Sequence, residues 1–424
     1  STTVSRLDTT KTTIAVGDRT LKVGADFDAY LPAASLSGQI EYVGFGYRAP
    51  SRGVDPYAGR DVRGKILLVL SGLPKEFTQE ELFGGKITDA EFPTQMATKL
   101  GAKGILIVKE EGTSPSITVG GAVPNIVLKS SALAAIMAGE SISADELIRR
   151  LRDRNPGASA SLSSSKNISV NIAATPQTLT YKNVVGIIPG SDAKLKSEYV
   201  AFGAHYDHVG VHGEGPGDHI WNGADDDGSG TVAILEIAHA YAIGPRPKRS
   251  LLFVWHAGEE KGLWGSDYFV AHPTVPLANI VTQLNIDMIG RSRGPADSNP
   301  ANANLSDRNS IYVIGSRMLS DDLGNAVVSV NQGMNKLNLD YKYDDPKDPE
   351  HFYERSDHYN YAKKGIPIAF FFNGVHEDYH GAGDEVSKID FVRMEKITRT
   401  VYAIGWQVGN TVARPKVNKP VNSG

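Results

Sequence analysis

The chain of 424 residues contains no cysteine. That removes disulfides, thiolate metal sites and a cysteine nucleophile together, so any metal must take nitrogen and oxygen from His, Asp and Glu. It leaves the compartment open, because a cysteine-free protein survives in oxidising and reducing surroundings alike. Long apolar runs are missing too, and no stretch approaches the roughly 18–20 residues that span a bilayer. Charge of one sign is not in excess, with 44 basic against 48 acidic residues. A net charge of −4 makes no case for nucleic acid or an anionic membrane as a partner. The opening at Ser1, without Met or a leader pattern, reads as a processed or trimmed form. Histidine is scarce in a more telling way. All eleven lie between His205 and His380, so histidine chemistry belongs to the second half.

What is present fits a soluble globular α/β protein: 41% apolar residues with 44 Gly and 22 Pro. The length favours two domains. In the N-terminal half, apolar runs at 39–47, 65–70, 104–108 and 125–128 are bounded by Gly, Pro and charge and read as strands. A helical pattern opens near Pro93, and another carries a capping box from Ser143 to Glu146. This predicts a small α/β module over 20–165, ending in a Ser/Ala-rich linker at 158–165. In the C-terminal half, 199–204, 251–255 and 367–372 are nearly all apolar and 280–286 mostly so, as expected of strands covered on both faces. Helical patterns at 229–241, 263–271 and 391–408 fall around them. The alternation predicts a doubly wound, mostly parallel sheet over 166–412, with 1–19 available to join it. The Pro-, Lys- and Asn-rich tail, 413–424, is expected to be disordered.

Two adjacent glutamates, Glu259 and Glu260, follow one of these apolar runs. Neighbouring side chains on extended backbone point to opposite faces, so one carboxylate can hold a metal while the other acts as a base. Other candidate ligands follow the other runs: His205 with Asp207, the run Asp225-Asp226-Asp227, Asp287, and His380. Ligands in open α/β sheets bind beyond the carboxyl ends of the strands. Singly, each group has a plainer reading: a helix cap, a hydrogen-bonded histidine, a loop cap or a calcium loop, a solvated turn. Together on one rim they point to a hydrolytic centre of two cations sharing a carboxylate.

The segments that carry these residues resemble the zinc-dependent aminopeptidase family of metallopeptidase clan MH. They are Gly-Ala-His-Tyr-Asp-His (203–208), Gly-Ala-Asp-Asp-Asp-Gly-Ser-Gly (223–230), Gly-Glu-Glu-Lys-Gly-Leu-Trp-Gly-Ser (258–266), Asn-Ile-Asp-Met-Ile-Gly (285–290), Arg-Ser-Asp-His (355–358) and Asp-Tyr-His (378–380). The resemblance implies two Zn2+ per chain, one held by His205 and Asp287, the other by Glu260 and His380, with Asp226 bridging. A cis peptide often follows that aspartate. It also implies that Asp207 orients His205, that Glu259 is the general base on a bridging water, that Tyr379 supports the oxyanion, and that Arg355 contacts substrate. After His380 the family commonly has Thr or Lys with Pro, where this chain has Gly381-Ala382-Gly383, which loosens the expected loop. His208, His212, His219 and His358 remain competing ligands, and His256 is expected to be structural or to support a ligand. The N-terminal half is similar to a protease-associated domain, through 61–69, 101–108 and 123–127.

The activity so implied is release of N-terminal amino acids from peptides by a secreted or periplasmic enzyme. Three alternatives remain. A carboxypeptidase of the glutamate carboxypeptidase II type needs basic residues for a terminal carboxylate, for which Arg355 and Arg291 are available. A glutaminyl cyclase-like acyltransferase uses one zinc. A receptor-like relative would have lost ligands. The acidic stretch 340–350 reads as a solvated loop in preference to a calcium site, and oligomeric state is not legible.

Overall fold

The computed structural model describes residues 2–78, 81–82, 86–110, 123–163, 167–212 and 217–420. The chain divides into two compact units, Ser1–Thr180 and Tyr181–Gly424.

In the first unit Ile40–Tyr42, Ile66–Leu70, Gly104–Val108 and Asn125–Leu128 run parallel as neighbours in a six-stranded sheet. Phe27–Ala29 and Ala160–Ser161 close its edges antiparallel. The helix Pro93–Leu100 starts on its proline and stops at Gly101, whose φ of 72° suits glycine. The helix Ala144–Arg152 is capped by Ser143, whose hydroxyl accepts from the Glu146 amide at 3.1 Å.

Pairing across long sequence distances revises the expected domain limits. Thr13–Val16 and Ala34–Gly38 flank Ile168–Ile172, and Thr2–Leu7 pairs with Ala174–Leu179. Residues 2–19 therefore belong to the first unit and do not join the second, and the division falls after Thr180 instead of at 165. The expected linker at 158–165 carries the edge strand Ala160–Ser161, while 164–165 lie outside the described residues. Local pattern could not show either point, because the deciding hydrogen bonds join residues more than 110 positions apart.

The second unit is built on a seven-stranded sheet. Its strands are β1 (Val184–Ile188), β2 (Tyr199–His205), β3 (Ser250–His256), β4 (Ile280–Ile286), β5 (Ser310–Ile314), β6 (Asn338–Asp340) and β7 (Ile368–Phe372), in the order β1-β3-β2-β4-β7-β5-β6. The central four, β3-β2-β4-β7, are parallel; β1 and β5 run antiparallel to their inner neighbours. Among the described residues five α-helices pack on it: α1 (Gly230–Ile243), α2 (Trp264–Ala271), α3 (Asp321–Gly333), α4 (His358–Ala362) and α5 (Phe391–Asn410). Alternate strand residues serve opposite faces. Val200, Phe202, Leu251 and Phe253 meet α1, α3 and α5, while Ala201, Leu252 and Val254 meet α2 and α4. The sheet is thus wound on both sides, as its buried and largely apolar strands require.

The expected disorder of 413–424 is corrected as far as Pro420. The buried Arg249 side chain donates to Glu198 and to the carbonyls of Val408 and Val412, and Arg414 donates to Glu198 and Ala278. The Asn418 amide donates to the Leu319 carbonyl. Residues 421–424 lie outside the described residues.

All four tryptophans lie in the second unit, so their fluorescence reports its unfolding. Phe202 is fully buried, stacked on Phe253 with centroids 5.0 Å apart. Phe202→Ala is expected to cost about 3–5 kcal/mol. An unchanged denaturant midpoint would contradict this packing.

Candidate metal centre

Every candidate ligand lies at the rim where the parallel strands end. His205 is the last residue of β2, Asp287 follows β4, and Glu259 and Glu260 follow β3. The glutamates occupy a single 3-10 turn, Glu259–Lys261, and not the extended backbone expected of them. His380 comes from the loop after β7, and Asp226 from the irregular segment Ala224–Ser229 that leads into α1.

That segment assigns three adjacent carboxylates three tasks. Asp227 turns inward and accepts from the amides of His205 (3.1 Å), Gly230 (2.9 Å) and Met288 (3.2 Å). Asp225 accepts from the Gly290 amide at 2.6 Å and from the Ser229 hydroxyl at 3.0 Å. Asp226 alone faces the cleft; the peptide between it and Asp227 is cis. Its amide and that of Asp225 are held by the Asp384 carboxylate. The close approach explains the glycines around the run. A Cβ at Gly230 would lie 2.4 Å from Asp227 Oδ1, and one at Gly223 would lie 2.4 Å from the His208 ring.

Asp226 has one oxygen on each side of the centre. Oδ1 lies 3.2 Å from His205 Nε2, which is 3.6 Å from Asp287 Oδ2. Oδ2 lies 3.1 Å from His380 Nε2, which is 3.1 Å from Glu260 Oε2. His205 Nε2 and Glu260 Oε1 are buried without an aligned hydrogen bond. Imidazole and carboxylate donors that converge and lack partners fit a divalent cation such as zinc. Charge points the same way. Burial pushes Glu259 well above the carboxylate range, with His205 opposing and Asp287 reinforcing, and burial raises Asp287 and Asp227 too. Burial acts on Asp226 similarly, but hydrogen bonds with His205 and His380 outweigh it and hold it low.

The supporting residues differ in part from expectation. Asp207 orients His205 through its main-chain carbonyl, 3.0 Å from Nδ1, whereas its carboxylate is 3.8 Å away and accepts the Glu259 amide. A carbonyl only accepts, so Nδ1 carries the hydrogen and Nε2 is left free to ligate. The Ser356 hydroxyl donates to Asp287 Oδ2 at 2.6 Å. His208, one of the competitors, does join the cluster, with Nδ1 3.0 Å from Glu260 Oε1. His212 and His219 bond to main-chain carbonyls instead, and His358 stacks on Phe370 and reaches the Tyr353 carbonyl. His256 is buried between the Tyr361 hydroxyl and Asp357. Arg291 is held by Asp378 at 2.8 Å. In the acidic stretch Asp340, Asp344, Asp345 and Asp348 accept from backbone amides.

Beside the centre a narrow pocket is lined by Met288, Phe352, Phe370, Phe372 and Val375, with Asp226, Glu259, Asp287, Tyr379 and Arg355 around it. Tyr379 stacks on His380 with centroids 3.9 Å apart.

Comparison with known proteins bears on this centre. The family model "Peptidase family M28" matches residues 183–405, more than half of the chain. The chain is 30% identical over 240 residues to "Probable leucine aminopeptidase" of Arthroderma benhamiae, covering 53% of this chain and 57% of that protein. It is 30% identical over 222 residues to "Leucine aminopeptidase 1" of Ajellomyces capsulatus, covering 50% and 52%. The chain thus spans about half the length of the curated relatives it matches. A solved zinc aminopeptidase from Bacillus subtilis aligns with 99% of this chain and 86% of its own, at a TM-score of 0.57 and 19% identity. The aminopeptidase from Aneurinibacillus sp. strain AM-1 aligns with 99% and 85%, at 0.53 and 20%. At these identities the likeness is one of fold.

The centre's own groups predict how metal uptake depends on pH. Burial lowers the His380 pKa, but hydrogen bonds to Asp226 and Glu260 win and raise it to about 9. In metal-free protein this ring is therefore protonated at pH 7.5 and must lose its proton to ligate, so apparent affinity rises with pH towards 9. Zinc titration by calorimetry in two buffers of different ionisation enthalpy is expected to show proton release. Identical heats would contradict the geometry.

Proposed function

The chain belongs to peptidase family M28, and from that premise we propose that it is an aminopeptidase holding two zinc ions. The observation that carries this reading is Asp226, with one oxygen turned to His205 and the other to His380. His205 and Asp287 would hold one ion, His380 and Glu260 the other, and Asp226 would be shared. His208, with Nδ1 3.0 Å from Glu260 Oε1 and 3.9 Å from Asp226 Oδ2, would stand beside the second ion as a further donor. Bound zinc supplies the Lewis acidity that polarises the scissile carbonyl and makes water a stronger acid.

The remaining work falls to the chain's own groups. Glu259 lies with Oε2 4.0 Å from His205 Nε2, a position from which its carboxylate takes a proton from the attacking water and returns it to the leaving amine. Burial raises the Tyr379 pKa, which keeps the phenol protonated as a donor to the developing oxyanion. The carboxylates of Glu259, Glu260 and Asp287 favour the substrate's free ammonium. The pocket of Met288, Phe352, Phe370, Phe372 and Val375 would receive the first side chain and favours apolar residues. That agrees with the leucine aminopeptidase names of the relatives.

The alternatives fit less well. Arg291 is committed to Asp378, which leaves Arg355 as the single one of the two arginines for a terminal carboxylate, where no second cation among the described residues lines the pocket to support it. A one-zinc cyclase would leave the donors around Asp226 Oδ2 without a task. The first unit is read as a protease-associated domain, supported by its parallel strands Ile66–Leu70, Gly104–Val108 and Asn125–Leu128. No helix among the described residues is long and apolar enough to cross a membrane. A secreted or periplasmic location completes the proposal and rests on the family resemblance.

Glu259→Ala is expected to keep its metal, by elemental analysis, yet lose about 10²–10⁴ in kcat on leucyl p-nitroanilide. Chelation is expected to abolish turnover and zinc to restore it. Full activity after exhaustive chelation, or cleavage of N-blocked substrates alone, would overturn the proposal.

A further inference from the structure

The walls of the side-chain pocket are apolar, but its rim carries a cation. Arg355 is exposed, lines the pocket with Phe352 and Tyr379, and lays its guanidinium 4.5 Å from the centre of the Phe352 ring. Among the described residues no carboxylate forms an ion pair with it. The acids nearest in sequence are turned elsewhere: Glu354 towards His351 and Asp357 inward to His256. Three buried arginines of this unit behave differently. Arg249 and Arg393 spend their donors on buried carbonyls, and Arg291 on Asp378.

An unpaired guanidinium at the mouth of an apolar pocket is informative because of its surroundings. Stacking on an aromatic face fixes its plane without using any of its five N–H donors. A fixed fork with free donors suits a carboxylate, which it can bind through two parallel hydrogen bonds. Asp226, Glu259 and Asp287 line the same pocket, so an incoming anion would otherwise meet only negative charge there. A glutamate side chain has the matching form, two methylenes for the apolar walls and then a carboxylate at the rim.

We infer that Arg355 is a specificity residue whose guanidinium receives the side-chain carboxylate of an N-terminal glutamate, so the pocket accepts acidic as well as apolar first residues. This rests on the aminopeptidase reading. The test compares kcat/KM on glutamyl, glutaminyl and leucyl p-nitroanilides, which carry no other carboxylate, for the wild type and for Arg355→Met and Arg355→Lys. The wild type is expected to cleave the glutamyl substrate. The glutamyl-to-glutaminyl ratio is expected to fall at least tenfold in Arg355→Met and to recover in part in Arg355→Lys, a change of ratio that a loss of fold would not produce. A ratio within twofold of wild type in Arg355→Met, or a wild type inactive on the glutamyl substrate, would overturn the inference. So would a selective loss on dipeptides relative to dipeptide amides, which would assign the guanidinium to the chain's terminal carboxylate. Failure of the aminopeptidase reading itself looks different: no substrate of the three would be cleaved.

Discussion

Three ligand-bearing elements meet at one inward-facing carboxylate. Asp227 accepts the amide of His205 at the end of β2, the amide of Gly230 at the start of α1, and the amide of Met288 just after Asp287. Each would otherwise be a buried donor without a partner, a loss of about 1–3 kcal/mol apiece. Because the acceptor is rigidly attached to Asp226, satisfying those donors also fixes where the neighbouring carboxylate points. Asp384 clamps the run from the opposite side, and Arg393 ties α5 to the carbonyls of Ile289 and Arg291 just beyond Asp287. The position of the centre follows from main-chain hydrogen bonding before any metal is considered.

This arrangement concentrates negative charge where water is scarce. Asp226, Asp227, Glu259 and Asp287 are all largely buried; burial pushes all four up and prevails in every one but Asp226, which hydrogen bonds to His205 and His380 hold low. Buried charges of one sign are costly unless paired, hydrogen-bonded or bound to a cation. Asp227 is satisfied by amides and Asp287 partly by Ser356. Asp226, Glu260 and the two histidines face one another instead, and this is the load that two divalent cations would relieve. Fold and chemistry therefore share a cause: the strand ends that organise the backbone also gather the unsatisfied donors.

Much of this was legible in the sequence, for a physical reason. Strands buried on both faces are largely apolar, so β2, β3 and β7 announce themselves, whereas β4 carries buried Thr282, Gln283 and Asn285 and is less plain. His205 and Asp287 stand out at or just beyond their strand ends. The residues that were not legible act through long-range backbone contacts. Nothing in the Asp225-Asp226-Asp227 run says which carboxylate faces outward. The role of Asp384 depends on a loop folding back across about 160 positions, and that of the Asp207 carbonyl on a turn. Pairing of Thr2–Leu7 with Ala174–Leu179, and the docking of the tail by Arg249, were hidden for the same reason. His208 was undervalued because, beside His205 and Asp207, it had no strand of its own to mark it.

The central claim is that one carboxylate is shared between two metal positions. Anomalous diffraction at the zinc edge from crystals of the zinc-loaded protein measures this directly. Two peaks about 3.5–4 Å apart, one on each side of the Asp226 carboxylate, are predicted. A single peak under saturating zinc, or a pair that does not flank Asp226, would contradict the account.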